Sequence, residues 1–118
     1  MNEVKRCRAL AQKVNPSLDK IEARSAEKTR VSYDLIAYEY NAIAAGLDGF
    51  DAGSPELERA VVDYAALART SARQSAALAE ALAAKNAASA ALATRELERL
   101  ARQEKAIVAR IDEECRPK

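Results

Sequence analysis

All three glycines of this 118-residue chain lie in one stretch, GLDGFDAGSPEL, at Gly46, Gly49 and Gly53. Glycine is the residue that most readily takes left-handed and tight-turn backbone conformations. A chain that confines it to one place therefore has one strongly marked turn. Gly46 stands where a helix C′ residue belongs, with Leu47 after it as the apolar C″ partner of a Schellman-type stop. Ser54 then reads as an N-cap, Pro55 as N1, and Glu56 adds negative charge to the first turn of the next helix. One helix is expected to end near Ala45 and another to start at Ser54.

Outside that loop the composition is that of helices. Alanine fills 28 positions, 16 of them between Ala60 and Ala93, and Leu, Arg, Lys and Glu supply most of the rest. The β-branched and aromatic residues that strands prefer are few, so the expected class is all-α. Val4, Cys7, Ala11, Val14, Leu18 and Ile21 form an apolar stripe at 3-4 spacing, with Leu10 beside it. The stripe keeps its phase through Pro16, which favours one helix, kinked at the proline, over a restart capped by Asn15. It fails after Ile21 and returns at Tyr33, Ile36, Tyr40, Ile43 and Leu47. That gap predicts a hinge in 25–32, with Ser32 capping a second helix. Leu57, Val61, Tyr64, Ala68, Ser71, Ser75, Leu78 and Leu82 give a third stripe with a small-residue middle. Leu97, Leu100, Ala101, Glu104, Val108, Ile111 and Cys115 give a fourth, and Asn86 is the one cap between them.

The segments are therefore helices over about 3–27, 32–45, 54–84 and 87–115. Short connections make sequential helices antiparallel neighbours, an up-down-up-down four-helix bundle forming a single domain. Only this segmentation brings the start of the first helix and the end of the last to the same end. A continuous rod over 3–45 followed by two helices would deliver Cys115 to the far end from Cys7. A Cys7–Cys115 disulfide follows, closing a loop of about 109 residues. In the chain-entropy account that is worth up to ~4.7 kcal/mol, a large share of the stability of an alanine-rich core. Two buried thiols are the plain alternative. A reactive Cys7 thiolate, favoured by Lys5, Arg6 and Arg8, is the third reading.

A disulfide points to the periplasm or outside of the cell, and hence to a mature form whose signal peptide has been removed. A reduced, cytoplasmic protein is the alternative. No stretch approaches the ~20 apolar residues of a membrane span, and MNEVKRCRAL has no signal-peptide core. In texture the chain resembles small, alanine-rich, two-cysteine helical proteins exported by bacteria. That likeness carries no functional residues across.

Chemistry finds little footing. With no histidine, the commonest general base and transition-metal ligand is missing. There is no Glu-x-x-His pair, no glycine-rich phosphate loop and no calcium loop behind Asp48 and Asp51. Glu104, the main inward acid, reads as a stripe-edge residue paired with Lys or Arg. No catalytic, metal or cofactor site is expected, and the chain reads as non-enzymatic. Tyr33, Tyr40 and Tyr64 fill core gaps with their hydroxyls at the rim, whereas Tyr38 points to the opposite face of its helix as a possible partner contact. Residues 1–30 carry net +4 and residues 31–60 net −5. Arg6, Lys13, Lys20 and Arg24 line the outward side of the first helix, a stripe able to meet phosphates or acidic head groups. A total of 19 basic against 18 acidic residues, without interleaved aromatics, argues against nucleic acid.

Three functions compete on these grounds. The first is an exported, disulfide-closed structural or protein-interaction module. The second is a cytoplasmic adaptor or chaperone-like protein, dimerising through the alanine-rich third helix as a homodimer. The third is an amphipathic bundle binding lipid or a small ligand.

Overall fold

The computed structural model describes residues 3–116. Four helices follow one another: α1 (Glu3–Ser25), α2 (Arg30–Leu47), α3 (Pro55–Ala83) and α4 (Ala87–Cys115), and no strand occurs among the described residues. A 29-residue helix is ~43 Å long, so α3 and α4 set the 50 × 22 × 21 Å shape of the molecule. Helix α1 packs on α2, α2 on α3 and α3 on α4, the sequential antiparallel order of an up-down-up-down bundle.

The helix ends explain where the sequence reads cleanly and where it does not. Ser54 caps α3 by accepting from the Leu57 N–H, with Pro55 behind it, and Asn86 caps α4 by accepting from the Ser89 N–H. The hinge between α1 and α2 is present but shorter, since α1 stops at Ser25 and α2 starts at Arg30. Its cap is Thr29 rather than Ser32. The Thr29 hydroxyl accepts from the Ser32 N–H while the Ser32 hydroxyl accepts from the Thr29 N–H, a capping box in which Ser32 takes the N3 place. At the far end of α2 the helix runs through Gly46 to Leu47, past the expected stop near Ala45. The left-handed residues of the loop are Gly49 (φ 74°) and Gly53 (φ 82°). Gly46 can stay helical because the turn it would have made is made three residues later. Helix α1 continues unbroken across Pro16, which is exposed.

The core follows the stripes with one adjustment. On α1 the buried residues are Leu10 and Val14, with Cys7, Leu18 and Ile21 packed half-buried against the core, while Val4 is 65% exposed, so the stripe holds except at its first member. Ile43, Ala44 and Leu47 from α2 meet Leu57, Val61, Tyr64 and Ala68 from α3, with Leu100 of α4 closing the cluster. The small residues of α3 do their work inside one chain. Ala60, Ala68, Ala72, Ser71 and Ser75 are all buried, letting the neighbouring helices approach closely. The acidic loop is fastened by Arg69, whose guanidinium reaches both carboxylate oxygens of Asp48, and α4 is tied to α3 by Arg110 on Asp63, 2.8 Å away.

Candidate functional site

The two cysteines meet. Their sulfurs are bonded and their Cα atoms lie 5.9 Å apart, joining the first turns of α1 to the last turn of α4. This link sits on the weakest side of the bundle, because α1 and α4 touch far more sparsely than the other three neighbouring pairs. Leu and Val side chains on two helices held apart cannot interdigitate, and a groove of about 220 Å³ remains between them. Leu10, Val14 and Leu18 form one wall, Val108 and Ile111 the other, with the disulfide at one end. Leu18, Val108 and Ile111 are only half-buried, so the groove is apolar surface that the fold has not covered.

Tyr64 also lines the groove and connects it to a polar cluster behind. The Tyr64 hydroxyl donates to Glu104 Oε2 at 2.8 Å, and the Tyr40 hydroxyl reaches Oε1 of the same carboxylate at 3.4 Å. Glu104 is thus held by two phenols from α2 and α3, which corrects the expected pairing with Lys or Arg. Among the described residues no base forms an ion pair with it. Burial, then the nearby Glu104 charge, then the hydrogen bond itself push both phenols well above their ordinary value of 10.0. The hydroxyls of Tyr40 and Tyr64 therefore converge on one partly buried carboxylate. The sign of this arrangement was in the sequence: Tyr40, Tyr64 and Glu104 each occupy an apolar-stripe position on a different helix. A polar tip on three converging stripes implies that the tips meet.

The four bases on α1 do not form one patch. Arg6 turns to the glycine loop. It pairs with Asp51 at 3.8 Å, and its guanidinium lies so close to Gly53 that a Cβ there would fall 2.0 Å from Nη1. Gly53 is therefore favoured by its positive φ, whereas the arginine beside it meets an added Cβ only with the mobile end of a long side chain. Lys13 shares a shallow depression with Arg6, Asp48 and Asp51. Lys20 stands exposed farther along α1, and Arg24 pairs with Glu27 at 3.2 Å. Each end of the basic stripe thus has acids supplied locally, by the loop or by the residues just past α1.

Tyr38 is 69% exposed, and it is not alone. Val31 (55%) and Leu35 (38%) precede it at 4-3 spacing, so the three form an exposed apolar row along the outer face of α2. The sequence places only Tyr38 there, because the row is interrupted by charged neighbours and is too short to register as a stripe. Among the described residues no cluster of metal-ligating side chains occurs, and no helix is long and apolar enough to cross a membrane. Compared with protein-family models, curated proteins and solved structures, the chain matches none of them.

Proposed function

We propose that this chain is an exported helical bundle, closed by its disulfide, that works by binding a partner protein through the outer face of α2. The observation that carries the reading is the row Val31, Leu35 and Tyr38. Single exposed apolar residues are ordinary, but three aligned on one helix face form a contiguous patch of the kind that marks interaction sites. Tyrosine is among the side chains that most often anchor such contacts. Asp34 and Glu39 stand beside the row on α2, and Arg30 is already paired with Asp34, so the fitting partner offers an apolar recess with a basic group at its edge. Export is supported by the Cys7–Cys115 pairing, since such bonds persist in oxidising compartments and are rare in the cytosol.

The test is photo-cross-linking in the producing cell, with a photoreactive amino acid at position 38 or 35 and a control at exposed Lys20. A discrete adduct from 38 and 35 that is absent from 20 and lost in Val31→Glu is the expected result. No adduct from either position, or the same adduct from all three, overturns the interface. The export half is tested separately by intact mass after alkylation under non-reducing conditions, where two alkylatable thiols would overturn it.

A further inference from the structure

We propose that the groove between α1 and α4 is a binding site for a small hydrophobic amine, whose apolar body lies between the two helices and whose cation sits on Asp112. The site is independent of the α2 face, so each can fail without the other.

The apolar half of the argument is geometric. Leu10, Val14 and Leu18 face Val108 and Ile111 across a cleft of about 220 Å³. An apolar cavity of ~150 Å³ suffices for benzene, so this one takes a ring with a short side chain. It is too small for a sterol, and small beside the ~300–1,000 Å³ of ordinary ligand pockets. The closed end is the disulfide, which fixes how far the helices can part.

Charge selects the head group. Asp112 is the one charged residue lining the groove, and Asn15 is its polar neighbour there. Among the described residues no side-chain hydrogen bond or ion pair engages the Asp112 carboxylate. Behind Tyr64 lies the Glu104 carboxylate, which also lacks a cation. Among the residues that line the groove there is thus one acid and no base. A fatty acid would bring its carboxylate against Asp112, whereas an amine offers the missing counter-charge and can donate to the Asp112 carboxylate and the Asn15 side-chain carbonyl. Of the lipid and small-ligand occupants the amphipathic pattern allows, the groove favours a compact cation.

The experiment is an NMR titration of the oxidised, full chain with three probes of similar size: phenethylamine, phenethyl alcohol and phenylacetate. Phenethylamine is expected to bind most tightly and to shift the amides of Leu10, Val14, Val108 and Ile111. Asp112→Asn should weaken the amine about three- to tenfold and leave the alcohol unchanged. Asp112 is exposed, so this variant keeps its fold. Val108→Trp, read by the same spectra for folding, should abolish all binding by filling the cleft. The proposal is overturned if the carboxylate probe binds as well as the amine, if Asp112→Asn leaves the amine unaffected, or if no probe shifts the groove amides.

Discussion

Glu104 shows how one side chain can organise three helices without a salt bridge. Its carboxylate accepts from phenols on α2 and α3 while being carried by α4, so every helix except α1 contributes to the cluster. The 2.8 Å contact to Tyr64 is the stronger of the two, and that to Tyr40, at 3.4 Å, is near the limit of a hydrogen bond. A hydrogen bond to an ionised partner contributes roughly 1.5–3 kcal/mol. Tyr64→Phe should therefore cost about 2 kcal/mol in urea unfolding, with Tyr40→Phe costing clearly less. Equal losses would give the two phenols equal weight, and no loss from either would mean that Glu104 is satisfied by water. The pH dependence has a definite sign. Both phenols are raised above 10.0 in the fold. The unfolded chain therefore releases these protons first as pH rises, and stability falls from about pH 10 upwards. Below that range their contribution is fully present. Tyrosinate absorbance from these two residues should appear only in the cooperative alkaline unfolding step, and the amplitude of that step should shrink in Tyr64→Phe.

Helix boundaries divide into those marked by a residue type and those marked by a conformation. Ser54–Pro55 and Asn86 are legible because capping and proline at N1 are side-chain properties. The stop of α2 is misjudged by about two residues because Gly46 permits a turn without requiring one. The hinge before α2 is blurred for the opposite reason. Its left-handed residue is Lys28 (φ 53°), and nothing in a lysine announces that. The same device joins α3 to α4. Asn86 N–H donates to Ala81 carbonyl at 2.9 Å and Lys85 N–H to Leu82 carbonyl at 3.2 Å, a Schellman motif with Lys85 (φ 56°) in the place glycine usually holds. A residue with a Cβ pays about 1 kcal/mol for that conformation. Lys85→Gly should thus raise stability by about 0.5–1 kcal/mol, although glycine also frees the unfolded chain. Asn86→Ala should lower it by about 1 kcal/mol through loss of the α4 cap. Chemical denaturation of both variants checks the pair, and a Lys85→Gly protein less stable than the parent would show that the turn does not need the left-handed residue.

The bundle is a ring of four helices with three packed sides and one latched side. Periodicity could say which residues of α1 and α4 face inward, and it brought Cys7 and Cys115 to the same end. It could not say how far apart the facing helices stand, because that distance is set by how α1 sits on α2 and α4 on α3, through contacts no single stripe encodes. The open α1–α4 side is accordingly the least legible part of the molecule, and it holds the groove. Its consequence can be measured. The sequence separation of 108 between the cysteines makes the disulfide worth about 4–5 kcal/mol if it acts only by restricting the unfolded chain. An effect of that kind lowers protection equally in every helix that exchanges through global unfolding. A latch acts differently, because α1 without it is held by α2 alone along most of its length. Reduction, or Cys7→Ser with Cys115→Ser, should then open α1 locally as well. Hydrogen exchange at Leu10 and Val14 should accelerate by more than at Ala68 and Ser71, which lie at the centre of α3 with neighbours on both sides. Uniform acceleration across all four helices would assign the bond to the unfolded chain alone. Preferential loss in α1 would identify it as the fastening of the open side, whose removal leaves the apolar walls of the groove exposed to water.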